Sequence, residues 1–99
     1  MGTSTETAAC TVCGEPTDRA VLIWARLLVE EVEQSVVRLL AVCLAHWAEA
    51  VVRVRYELDL AGTVARFSET GPVAMWHARA QATALAVHLQ SDPARSAQA

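Results

Sequence analysis

Three cysteines and one histidine of this chain fall into two short pairs, Cys10-x2-Cys13 and Cys43-x2-His46, about thirty residues apart. A structural zinc ion takes four tetrahedral sulfur or nitrogen ligands, usually supplied as two such pairs. If one ion takes all four, both ends of the segment between them must converge on it, whatever that segment folds into. In CTVCGEP, Gly14 permits the left-handed turn that follows a pair of sulfurs aimed at one ion. In the second pair, positions i and i+3 of a first helical turn share a face, and the positive helix N-terminus favours a Cys43 thiolate. Four protein ligands leave no open position for water or substrate, so the spacing predicts one structural Zn2+ held by Cys10, Cys13, Cys43 and His46. The competing reading is a set of ordinary buried thiols beside a partly buried His46. A thioredoxin-like role for Cys10 and Cys13 would need a βαβ context that the short polar stretch before them does not offer.

Between the pairs the chain has little punctuation, with neither Gly nor Pro from Thr17 to Ala61. Read as helix, Leu22, Ala25, Val29, Val32, Val36, Leu39 and Cys43 form a stripe at alternating three- and four-residue steps. Read as strands, AVLIWARLLV and SVVRLLAV flank a polar EEVEQ where a hairpin can turn. The first reading gives an all-α helical hairpin or bundle with the zinc site at one end. The second gives an α+β domain of zinc knuckle, β-hairpin and helix, which is the expected class. After Cys43, Leu44, Trp47, Val51, Val54 and Leu58 mark a helix to about residue 60, although VRVRYELDL also alternates like a strand.

The last element is expected to be a helix over Val73–Gln90, with Ser68 or Thr70 as cap and Pro72 in its first turn. One apolar face carries Val73, Trp76, Ala80, Thr83 and Val87. The other carries Ala74, Ala78, Ala82, Leu85 and Leu89, and this second face is the expected interface for a protein partner or another copy of the chain. His77 and His88 are about 16 Å apart along such a helix, too far to share a metal. Trp24, Trp47 and Trp76 read as core and interface anchors, and Glu30, Glu31 and Glu33 as a wetted face. The expected organisation is a flexible leader over 1–9, a zinc-binding domain over 10–60, the C-terminal helix within 61–90 and a flexible tail over 91–99.

The stretch C-T-V-C-G-E-P-T-D-R-A-V-L-I followed by L-A-V-C-L-A-H resembles the small treble-clef or zinc-ribbon-like zinc-finger proteins common in actinobacteria. The match covers residues 10 to about 50. The resemblance implies that Cys10, Cys13, Cys43 and His46 bind zinc and that residues 20–42 form strands. The chain departs from that pattern in lacking a Gly-Pro-Gly type turn between the strands.

Charge narrows the partners. The net charge is −3, all eight cations are Arg, and they are scattered among eleven acids. Three thiolates around one Zn2+ make the chain more negative still, which disfavours nucleic acid. No secretory signal or membrane-spanning run is legible, and an odd number of cysteines argues against a disulfide framework, so a reducing cytoplasm is expected. No nucleophile, phosphate loop or open metal position can be named, so an enzyme is not expected. The function expected is a noncatalytic zinc module for protein–protein contact or self-association. A sequence-specific DNA-binding regulator and a thiol or zinc redox sensor are the alternatives.

Overall fold

In the computed structural model, which describes residues 7–90, the chain is a mixed α/β fold built around one long strand. Strands β1 (Ala8–Ala9) and β2 (Pro16–Thr17) form a small antiparallel pair around the first cysteines. Strands β3 (Arg19–Val29) and β4 (Val32–Ala41) form a hairpin, and helix α1 (Trp47–Ala61) follows. Strand β5 (Thr63–Glu69) then returns to pair with β3, a short β6 (Val73–Ala74) pairs with the start of β3, and helix α2 (Met75–Gln90) ends the described chain. The sheet order is β4-β3-β5, all antiparallel.

β3 explains why two readings of its sequence compete. Ala20, Val21, Leu22, Ile23 and Ala25 are all buried, because helices cover parts of both sheet faces. A strand buried on both sides loses the alternation of apolar and polar residues that marks a half-exposed one. The all-α alternative is not supported. The hairpin turns on Glu30 and Glu31, both left-handed with φ of 52° and 68°, the two-residue geometry that twists with the strands and normally selects Asn or Gly.

One face of the sheet packs on α1. Val21, Ile23, Ala25 and Leu27 of β3 meet Ala50, Val54 and Leu58 of α1, with Val36, Leu40, Val64 and Phe67 closing the sides. The four-residue spacing of the α1 contacts aligns one stripe with the strand. Gly62 ends the helix: its amide donates to the Leu58 carbonyl at 3.0 Å, and a Cβ there would run into the Leu28 carbonyl oxygen. The other sheet face meets α2 through a smaller cluster of Ala20, Met75 and Ala78. Beyond it a cavity of about 240 Å³ opens among Leu22, Trp24, Ser68, Glu69, Thr70 and Leu85.

Several boundaries differ from expectation. Residues 8 and 9 are not leader but pair with Thr17 and Pro16, while the expected tail over 91–99 lies outside the described residues. Strand β5 falls where only the approach to a C-terminal helix was expected, and α2 starts at Met75 because Val73 and Ala74 pair with Ala20 and Arg19. Of the residues assigned to a docking face, Ala78 is fully buried within the chain and Ala74 lies in β6, with Ala82, Leu85 and Leu89 half-buried. The opposite side of α2 is the open one, with Trp76 68% and Val87 59% exposed.

Candidate metal centre

The two ligand pairs meet at one end of the β3–β4 hairpin. The first lies on the turn between β1 and β2, where the Gly14 amide donates to the Cys10 carbonyl and the Cys10 amide to the Glu15 carbonyl, both at 2.8 Å. Gly14 holds φ of 82°, a left-handed position that suits glycine. The second pair lies just after β4. Cys43 precedes α1 and His46 occupies its N-cap, so the pair spans a turn before the helix and not the first helical turn expected. The His46 amide donates to the Cys43 carbonyl at 3.0 Å, which keeps the i and i+3 side chains together.

One ligand atom from each of Cys10, Cys13, Cys43 and His46 lies within 4.8 Å of every other. Cys13 Sγ is 3.8 Å from Cys43 Sγ, and Cys43 Sγ is 3.0 Å from His46 Nδ1. Cys10 is buried at 3%, Cys13 is exposed, and Cys43 and His46 are half-buried. His46 also explains an anomaly of α1: its side chain makes no capping hydrogen bond, where a Ser or Asp N-cap ordinarily would. Its ring faces Cys43 instead.

The thiols are tuned in opposite directions. Burial pushes the Cys10 thiol up, but the backbone amides of Cys13, Cys43 and Val12, with the Cys13 side chain, outweigh it and bring it down to about 6. The Glu15 amide favours the Cys13 thiolate, yet burial and the neighbouring sulfurs of Cys10 and Cys43 outweigh that amide and hold the Cys13 thiol above its ordinary range. A set of three sulfurs and one imidazole nitrogen at these separations can hold a metal ion, and a cation would relieve the crowding of negative sulfurs that raises Cys13.

Two threonines that the spacing argument passes over fix this end of the molecule. Thr11 donates both its amide and its hydroxyl to the Ala41 carbonyl, each at 2.9 Å. Thr17 is buried; its hydroxyl donates to the Val42 carbonyl at 2.9 Å and accepts from the Arg19 amide at 3.1 Å. These bonds tie the ligand turn to the end of β4 independently of any ion. Nothing in the sequence marks them, since a threonine inside a cysteine pair, or one a few residues after it, is commonplace.

The remaining candidates do not gather. His77 and His88 are both exposed on α2, and His77 meets Trp76 edge-on with centroids 5.3 Å apart. Glu30 and Glu31 form the turn, and Glu33 lies 3.7 Å from Arg26 across the hairpin. No helix among the described residues is long and apolar enough to cross a membrane. No protein-family model, curated protein or solved structure matches the chain.

Proposed function

We propose that the chain is a noncatalytic module built on the treble-clef plan, stapled by one structural zinc ion and working by contact with another protein. The observation that carries the proposal is the convergence of four soft donors within 4.8 Å, with no fifth His, Cys, Asp or Glu joining them among the described residues. A tetrahedral ion with Zn–S bonds of about 2.3 Å separates its sulfurs by about 3.8 Å, and the Cys13–Cys43 separation is 3.8 Å. Three thiolates and an imidazole favour Zn2+ over harder cations, and a filled shell stabilises a fold without activating water. The order of ligand turn, hairpin and helix, with the last pair at the helix start, supports the treble-clef reading.

The surface supports a protein partner over DNA. On the solvent side of α1, Val52, Tyr56 and Leu60 recur at four-residue steps and are 66%, 64% and 71% exposed. The basic residues nearby are engaged: Arg53 bonds Glu49 at 2.7 Å, Arg55 bonds Asp59 at 3.4 Å, and the Arg55 guanidinium also lies over the Phe67 ring. A thin body, 46 × 32 × 15 Å across its principal axes, leaves much of its apolar surface near water.

Elemental analysis of the purified chain tests the core of the proposal, with one zinc per chain expected and a metal-free yet fully folded protein the result that overturns it. One observation favours redox sensing as a second reading, namely that Cys13 is exposed within the site. Zinc release in step with peroxide addition supports that reading, and retention of zinc under mild oxidant removes it.

A further inference from the structure

Residues 52–60 of α1 read V-R-V-R-Y-E-L-D-L. About Tyr56 they are symmetric in hydrophobicity and antisymmetric in charge. Val52 and Leu60 stand four positions to either side, Arg53 and Arg55 come before, and Glu57 and Asp59 follow at the same distances. The fold of the single chain does not call for this order, since α1 meets the sheet through Ala50, Val54 and Leu58.

Helical geometry turns the order into a surface. At about 100° per residue, Val52 and Leu60 lie about 40° to either side of Tyr56, and the three make one exposed stripe on the side away from the sheet. Arg53 and Glu57 line one flank of the stripe at about 60° and 100°, and Asp59 and Arg55 line the other flank at about the same angles. Each flank therefore carries one cation and one acid, a helical turn apart. Arg53 bonds Glu49 and Arg55 bonds Asp59 within the chain, but both pairs are exposed, where ion pairs hold weakly. A guanidinium has five donors, so each arginine can keep its own acid and meet a second one.

We infer that α1 is a self-association helix: two copies of the chain pack their α1 stripes antiparallel about a twofold axis beside Tyr56. The inference rests on the reading of the chain as a protein-binding module and names its partner as a second copy. A twofold contact sets one patch against itself, so the patch must be self-complementary, and this one is so in one direction only. Antiparallel, each flank meets its own copy reversed, which places Arg53 beside the partner's Glu57 and Arg55 beside the partner's Asp59. Tyr56 then meets the partner's Tyr56 at the centre, where aromatic rings pack offset or edge to face. Val52 and the partner's Leu60 share the layer on one side, and Leu60 and the partner's Val52 share the layer on the other. Parallel, the flanks are exchanged: Arg53 lies beside the partner's Arg55 and Glu57 beside the partner's Asp59, like charge on like. Moving the centre by one turn leaves Val52 or Leu60 without an apolar partner on the facing helix. A different protein would need none of this symmetry.

Sedimentation of the zinc-loaded full chain tests the pairing, with a dimer expected at high micromolar concentration. Arg53→Glu with Arg55→Glu in one variant, and Glu57→Arg with Asp59→Arg in another, are each expected to sediment as monomers. An equimolar mixture of the two is expected to sediment as a heterodimer. Tyr56→Ala changes an exposed position and leaves the core untouched. It is expected to weaken the native dimer by about tenfold or more with unchanged far-ultraviolet circular dichroism, which separates loss of contact from loss of fold. For direction, Val52→Cys and Leu60→Cys are expected to crosslink with each other when mixed and oxidised, and neither with itself. Self-crosslinking of Val52→Cys overturns the antiparallel arrangement. A native chain that sediments as a monomer with its zinc in place overturns the inference while leaving the zinc module and a different protein partner standing. A dimer that survives both charge reversals also overturns it, by locating the contact elsewhere. A metal-free folded chain counts against the module reading alone, whichever way the sedimentation falls.

Discussion

The two faces of the central sheet are covered by helices of nearly equal length, fifteen residues in α1 and sixteen in α2, yet they are held in different ways. The α1 face is closed by Ala50, Val54 and Leu58 against four buried β3 side chains, and the first turn of the helix is also lashed to the ligand cluster through His46. The α2 face is closed only where Met75 and Ala78 meet Ala20, and farther along it opens into a cavity beside Leu85. Among the described residues, the two buried side-chain polar atoms without a partner, Trp24 Nε1 and Arg26 Nε, belong to β3 residues on this second face. Helix length does not decide how firmly a helix is attached. What decides it is whether the apolar stripe is long enough, and whether something besides burial fixes one end.

The strongest way to break this contrast is to remove the proposed zinc staple. Cys43→Ser is expected to unfold the α1 face, because structural zinc contributes on the order of 10 kcal/mol of apparent binding energy, comparable with the whole stability of a small domain. Unchanged melting and circular dichroism in that variant would show that burial alone holds α1. The next largest contrast compares leucines. Leu58→Ala empties a buried site on the α1 face and is expected to cost about 2–5 kcal/mol in urea unfolding, whereas half-exposed Leu85 already borders open space and its change to Ala should cost less than about 1 kcal/mol. Equal losses would mean that the two helices are equally anchored.

Glu31→Gly acts on the hairpin that both faces share. A non-glycine residue in the left-handed region costs roughly 1–2 kcal/mol, so this change at φ of 68° is expected to stabilise the chain by about 1 kcal/mol without altering the ratio of the leucine effects. A further effect is a pH dependence confined to the α1 side. The Cys10 thiol, lowered from 9.0 to about 6, favours the folded state in full above about pH 9, and that contribution fades as pH falls and is lost below about 6. Cys13, held high, must give up a proton when it takes an ion. Metal affinity is therefore expected to rise with pH between 6 and 9, by about tenfold per pH unit for each proton displaced. Competition with a chelator at several pH values measures it, and a flat profile would contradict the opposed tuning of the two thiols.

The four candidate ligands were legible because coordination chemistry demands particular atoms at particular spacings, and CTVC with CLAH displays both. The helix from Trp47 to Ala61 was legible because only one of its faces is buried. The hairpin was only half legible: β3 is buried on both sides, and its turn uses two glutamates where Asn or Gly would have announced it. β5 was not legible at all. In TVARFSE only Val64 and Phe67 face the α1 core, and the step from Val64 opposite Leu27 to Arg66 opposite Arg26 skips Ala65, so a bulge breaks the strand period between them. The face of α2 that turns inward could not be chosen from sequence, because both of its sides are apolar and what separates them is the position of Ala20 across the sheet.

The amide of Thr11 offers a handle on all of this. It is a single proton shared between the ligand turn and the last carbonyl of β4, so its exchange with deuterated solvent times every parting of those two elements. A spectroscopist following that one resonance would watch the turn let go of the sheet, with the sulfurs themselves left undisturbed.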